Sequence, residues 1–167
     1  KYPNPLASHV QEVDCFKRSI DEDGRLIIHR FINTSGKIEE MFKKRFKMHT
    51  GAIEITIVDP KNKTMTIRTR NLTGSSILSM EEICTYKPCP DNNLHTLYKQ
   101  EAKAKVKFLP FISKTIEKLT LKSMKERSPQ GILAMQTLIN SIKNHGLLTI
   151  QEHIEKMPTL FKNITTK

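Results

Sequence analysis

Basic side chains carry the clearest chemical signal in this chain. Lys37, Lys43, Lys44, Arg45 and Lys47 crowd one short segment, interleaved with Ile38, Met41, Phe42 and Phe46. The spacing predicts a short helix over 37–47 with Ile38, Met41, Phe42 and Arg45 on one side. Cationic groups beside apolar ones at helical spacing suit a helix lying on an anionic membrane surface, and equally a helix with a solvated charged face. A second set, Lys114, Lys118 and Lys122, recurs every fourth residue, extended by Lys125 and Arg127. That stripe reads first as the solvated face of a longer helix.

Catalytic chemistry is harder to assemble. The six histidines, His9, His29, His49, His95, His145 and His153, are scattered and none stands at metal-ligand spacing from another. The three cysteines, Cys15, Cys84 and Cys89, make no disulfide framework, and no zinc-ligand partners flank the last two. Reduced thiols, no metal and no cofactor are expected. Glu81 and Glu82 are adjacent carboxylates, but neighbours on a strand point to opposite faces and cannot act on one bond. No nucleophile elbow, phosphate loop, dinucleotide loop or zinc-protease helix motif occurs. With no nucleophile, base and orienting group to combine, an enzyme is not expected. The glycosylation sequons at Asn33, Asn62, Asn71 and Asn163 are a short, frequent motif without weight of their own.

The formal charge of +11 directs the chain toward anionic partners: nucleic acid, acidic lipid surfaces or an acidic protein. Aromatic residues are only 6% with no Trp, and neither a basic-aromatic strand motif nor zinc-finger spacing occurs, which argues against nucleic acid. A length of 167 residues suits one domain with a real core. No run approaches the eighteen or so apolar residues of a membrane-spanning helix. The opening Lys1-Tyr2-Pro3-Asn4-Pro5 reads as the interior of a longer sequence.

The elements that must position these residues are mostly strands. Val10–Ser19 and Arg25–Asn33 flank the turn Asp21-Glu22-Asp23-Gly24 as a hairpin. Gly51–Val58 alternates, with Ile53, Ile55 and Ile57 on one face and Glu54 and Thr56 on the other. Strands over Thr64–Arg70, Ile77–Tyr86 and Leu94–Phe108 follow, with a loop at Pro88–Asn93. In the last strand Ala102, Ala104, Val106 and Phe108 oppose Lys103, Lys105 and Lys107, one face buried and one wet, as in an antiparallel sheet. The small alanines leave room for a helix or a ligand. After Pro110 the period turns helical: Ile112, Ile116, Leu119 and Ser123 share one face, then Ile132, Met135, Leu138, Ile139 and Ile142 another. Pro129 predicts a kink or a break, and a further short helix is expected after Gly146, ending before Pro158. The fold class is α+β, a curved antiparallel sheet gripping a long C-terminal helix, which can enclose a pocket for an apolar ligand.

Four segments in order give a resemblance. Lys1-Tyr2-Pro3-Asn4-Pro5 with His9-Val10 comes first. Then come Asp23-Gly24 through His29-Arg30-Phe31-Ile32, and Val58-Asp59-Pro60 with Thr64-Met65. Last is Arg70-Asn71-Leu72 leading to Met80-Glu81-Glu82 and Tyr86-Lys87-Pro88. Over residues 1 to 145 the chain resembles the PRELI domain family, the mitochondrial Ups/Slowmo-type phospholipid transfer proteins. The remaining 146–167 form a C-terminal extension without counterpart.

The resemblance implies a START-like lipid-binding pocket under a short lid helix, with the family's first strand and most of its first helix preceding Lys1. It implies non-enzymatic transfer of phosphatidic acid, with phosphatidylserine next, between mitochondrial membranes across the intermembrane space. It also implies a small helical-hairpin partner bearing twin Cys-x9-Cys motifs. By matched position, the lipid phosphate meets Lys1, His9 and Lys37. The lid and membrane contact comprise Ile38, Met41, Phe42, Lys43, Lys44, Arg45 and Phe46. Two family lysines fall here at Thr34 and at Gln130 beside Pro129, so nearby Lys122 and Lys125 are expected to substitute. The competing expectation is a basic scaffold domain that binds a membrane or a protein and carries no lipid.

Overall fold

The computed structural model describes residues 7, 9–34, 51–107, 111 and 113–162; for Asn93 and for the helix beyond Lys143 it describes the backbone alone. The expected helix at 37–47 lies outside the described residues. Six strands and one long helix follow in order: β1 (Val10–Ile20), β2 (Leu26–Thr34), β3 (Gly51–Asp59), β4 (Thr64–Asn71), β5 (Leu78–Cys89), β6 (Asn92–Val106) and α1 (Ser113–Lys162). The strands form one open, curved antiparallel sheet in sequence order, and the class is α+β as expected.

Each turn has a local cause. Between β1 and β2, Gly24 takes the left-handed conformation at φ 81°, where a Cβ would be strained. The Asp21 carboxylate accepts the backbone N–H of Asp23 at 3.1 Å and of Arg25 at 2.9 Å, and Arg25 Nε at 2.7 Å. The Arg25 backbone N–H, then the Arg25 side chain, hold this carboxyl below its ordinary value of 3.8. A depressed carboxylate stabilises the turn above its unfolded pKa, and that contribution fades as pH falls through the lower folded value. A carbon-detected NMR titration should therefore place the Asp21 midpoint below 3.8; a midpoint at or above it would mean that these bonds are not held in solution.

The hairpin joining β5 and β6 is tighter than the sequence suggests. The loop expected over Pro88–Asn93 shrinks to Pro90-Asp91, because β5 runs on to Cys89 with Pro88 opposite Thr96. At the other end of the sheet, Gly51 leaves space for the Phe31 ring: a Cβ there would stand 2.6 Å from Phe31 Cζ.

The face of β3 that packs inward is the polar one. Glu54 and Thr56 are each 2% exposed, whereas Ile57 is 36% exposed. The alternation is as predicted, yet the isoleucines look outward. Glu54 tolerates burial because Arg30, directly opposite on β2, reaches it with Nη1 to Oε1 at 2.9 Å. A buried carboxylate without such a partner would bear the full cost of leaving water.

The long C-terminal helix is present as expected, but it extends further than the sequence suggests. It runs unbroken over Ser113–Lys162, through Pro129, Gly146 and Pro158, so neither the separate short helix after Gly146 nor the stop before Pro158 is present. Pro129 removes the donor for the Lys125 carbonyl, but both residues are exposed, so water can satisfy that group. The inward stripe is also rotated from the expected one. Leu119 is 55% exposed while Thr120 and Ala134 are buried. Near its start α1 is fastened to the sheet by Glu117, whose Oε1 accepts the Val106 backbone N–H at 2.7 Å.

Candidate ligand cavity

Between the sheet and α1 lies a partly enclosed cavity of about 190 Å³. Met124, Arg127, Ser128 and Gly131 line it from the helix, at the i, i+3, i+4, i+7 spacing of one helical face. Gly131 has nothing within 4 Å of where a Cβ would stand, so the volume beside it is open.

The floor contributed by the sheet mixes apolar side chains, Ile32, Ala52, Ile67 and Met80 among them, with polar ones. Glu54 sits in its centre, held by Arg30 and approached by Thr56 Oγ1 at 3.5 Å. Glu82, also in the lining, accepts a hydrogen bond from Gln100 Nε2 on β6. Its neighbour Glu81 points to the opposite face and pairs with Arg70 Nη2 at 2.9 Å, which bears out the reading that these carboxylates cannot act together.

One end of the cavity is aromatic. Tyr86 and Tyr98, opposite each other on β5 and β6, stack with ring centroids 5.0 Å apart and planes tilted by 48°. The Tyr98 hydroxyl lies 3.3 Å from Cys84 Sγ. Burial, then the Cys84 contact, push the Tyr98 phenol well above its ordinary value, and a hydrogen bond with Ser128 offsets part of that. The group stays neutral and protonated at every physiological pH, so it serves as a hydrogen-bonding hydroxyl and not as a base.

The other end is formed by His9, Thr34, Asn71 and Thr73. Asn71 braces it: its Nδ2 donates to the carbonyls of Leu78 at 2.7 Å and Thr73 at 3.1 Å, and its Oδ1 accepts Met80 N–H at 2.7 Å. With every side-chain atom so engaged, this sequon reads as structural.

Of the residues singled out from the sequence, His9 lies in the cavity lining. Lys1, Lys37 and the lid set Ile38, Met41, Phe42, Lys43, Lys44, Arg45 and Phe46 lie outside the described residues. Lys122 and Lys125 are exposed and absent from the lining, and Lys122 Nζ is 3.8 Å from Glu126 Oε1 on the same helix. The cation that α1 does bring to the cavity is Arg127, which the sequence reading placed at the end of a surface stripe. The overlooked signal is the Met124–Gly131 spacing, with a glycine inside a helix that nothing local explains. Among the described residues no cluster of three or more His, Cys, Asp or Glu could hold a metal ion, and no helix is long and apolar enough to cross a membrane.

A six-stranded antiparallel sheet packed against one long helix defines an α+β domain. The chain belongs to the PRELI-like family, whose model matches residues 1–145. It is 37% identical over 89 residues to Protein UPS1, mitochondrial, of Saccharomyces cerevisiae, covering 52% of this chain and 51% of that one. It is 33% identical over 106 residues to chicken PRELI domain-containing protein 1, mitochondrial, covering 61% and 49%. With the slowmo homolog of Dictyostelium discoideum it shares 38% over 104 residues, covering 61% and 46%. The chain thus spans about half the length of the curated relatives it matches.

Proposed function

We propose that this domain is a non-enzymatic carrier that moves one anionic phospholipid at a time, phosphatidic acid before phosphatidylserine, between mitochondrial membranes across the intermembrane space. The observation that carries the reading is a cavity lined by His9 and Arg127, in a chain of the PRELI-like family. The mitochondrial names of two relatives support the compartment. A twin Cys-x9-Cys protein is the partner that the family resemblance implies.

The cavity's size and polarity set how the lipid is held in this reading. Drug-sized pockets measure roughly 300 Å³ or more, so about 190 Å³ suits a headgroup and not two acyl chains. In this reading the headgroup enters first, and the acyl chains follow. The phosphate meets Arg127, His9, Lys1 and Lys37, because an ionised phosphate out of water requires charged hydrogen-bond donors. Lys122 and Lys125, exposed on α1, leave the phosphate role on this helix to Arg127. Glu54 and Glu82 repel the phosphate from the centre of the floor and favour the end near His9.

Native mass spectrometry of the purified full chain tests the proposal. A carrier retains about one phospholipid per protein, whereas a lipid-free scaffold retains none. Arg127→Gln removes one charge-assisted bond, worth about 1.5–3 kcal/mol, and should lower the retained phospholipid at least about tenfold. Undiminished loading would take Arg127 out of the site.

A further inference from the structure

We infer that Glu82, with Gln100 beside it, forms a subsite for the primary ammonium group of a lipid headgroup, and so admits phosphatidylserine beside phosphatidic acid. The subsite takes its ligand from the carrier reading and is tested apart from it. The register places Arg30, Glu54, Thr69 and Glu82 in one row across β2 to β5, each directly opposite the next. Two of the four are carboxylates that line the cavity. Glu54 has its cation in Arg30, at 2.9 Å. Glu82 stands two strands further on, roughly 10 Å away at the usual strand spacing, and that guanidinium is already engaged. The partner of Glu82 is neutral: its Oε1 accepts a hydrogen bond from Gln100 Nε2. Among the described residues Glu82 makes no ion pair.

Bracing β5 to β6 does not call for this charge. A neutral side chain would accept the Gln100 bond equally well, and a carboxylate repels the phosphate of an anionic ligand. The charge has a use when the ligand also brings a cation. A half-buried carboxylate with one neutral donor keeps acceptor capacity for an ammonium.

The neighbours of Glu82 on β5 and β6 suit the same group. Gln100 donates its amide to Glu82 and keeps its carbonyl oxygen as an acceptor. Tyr86 and Tyr98, on the same two strands, bring two aromatic rings to the lining, and such rings attract an ammonium. The cationic lining comes from elsewhere, Arg127 from α1 and His9 ahead of β1. One cavity of about 190 Å³ thus has cationic groups on one side and a carboxylate with further acceptors on the other. A headgroup bearing both charges matches it, phosphate toward Arg127 and His9, ammonium toward Glu82. Phosphatidylserine and phosphatidylethanolamine carry that ammonium, and phosphatidic acid does not.

The full chain is loaded from vesicles holding equal amounts of phosphatidylserine and phosphatidic acid, and the retained lipid is read by native mass spectrometry. Glu82→Gln keeps the side chain's shape and its bond to Gln100 but removes the charge. It should lower the ratio of phosphatidylserine to phosphatidic acid at least about tenfold, the worth of one hydrogen bond to a charged group. Retained phosphatidic acid should rise, since Glu82 no longer repels its phosphate. N-acetylated phosphatidylserine, whose amine is blocked, tests the same point without a substitution: the parent chain should take it up at least about tenfold less than phosphatidylserine. A lipid ratio indifferent to Glu82→Gln overturns the inference, as does equal uptake of the blocked and free amine. A Glu82→Gln chain that loses both lipids together makes Glu82 a structural brace and overturns it as well. Phosphatidylethanolamine separates the two sources of the amine and should load less than phosphatidylserine, having no net negative charge. Equal loading of the two, lost in Glu82→Gln, would keep the ammonium subsite and discard the restriction to anionic lipid. A parent chain that retains no phospholipid would discard the carrier, and water-soluble glycerophosphoserine, titrated by NMR, then reads the subsite alone. Amide shifts around Glu82 that vanish in Glu82→Gln would keep it; their absence in the parent chain would overturn it.

Discussion

Replacing Arg30 with Met is expected to destabilise the domain by about 3–5 kcal/mol. Glu54 is 2% exposed and takes a 2.9 Å bond from Arg30. Without the guanidinium its buried carboxylate has no cation to offset the cost of being withdrawn from water. Thr56 approaches the same oxygen at 3.5 Å, too weakly to replace an ion pair. The partner variant Arg30→Met/Glu54→Leu should recover most of the loss, because a buried ion pair exchanged for apolar groups is often close to neutral. Urea denaturation of the two single variants and the double variant gives the coupling directly. A loss below about 1 kcal/mol for Arg30→Met would mean that water reaches Glu54 and that the floor of the cavity is wetter than its burial implies.

Gly131→Phe is expected to leave the domain folded and reduce lipid loading more than tenfold. The residue lies within α1, lines the cavity and has no atom within 4 Å of an added Cβ. A glycine inside a helix costs about 1 kcal/mol relative to alanine, so Gly131→Ala should raise stability by up to that amount and keep the ligand. A cavity of roughly 150 Å³ is enough to hold benzene, so a phenyl ring takes most of the 190 Å³ available. The pair of variants separates occupancy from stability: thermal unfolding should move up or stay level in both, while bound lipid disappears only with Phe. Loading by Gly131→Phe equal to the parent chain would show that the ligand lies elsewhere.

Much of this architecture was legible in the sequence, for identifiable reasons. All six strands announce themselves through alternation and turn chemistry, and Asp21 to Gly24 marks the first hairpin because few residues suit such a turn. What alternation cannot say is which of the two faces is covered. On β3 the isoleucines suggest the core, yet Glu54 and Thr56 point inward, because the partner that permits it, Arg30, stands on another strand. The long helix is legible from its period, but its extent is not. Pro129, Gly146 and Pro158 are local stop signals, but α1 continues through all three. Its inward face could not be found by seeking an apolar stripe, since the cavity side is made of Met124, Arg127, Ser128 and Gly131. Of the candidate site, His9 came from the family resemblance; Arg127 was visible only as a charge. Lys122 and Lys125 were near in sequence to where a cation was expected, but a helix places residues by angle, and theirs faces water.

Transfer itself is measured by following fluorescent phosphatidic acid, phosphatidylserine and phosphatidylcholine between liposomes. The measurement takes the full-length protein with a twin Cys-x9-Cys partner co-expressed. Selective movement of an anionic lipid, phosphatidic acid fastest and phosphatidylcholine at the uncatalysed rate, is the predicted result. A folded complex that binds acidic liposomes yet moves none of the three would contradict the account and leave a basic scaffold in its place.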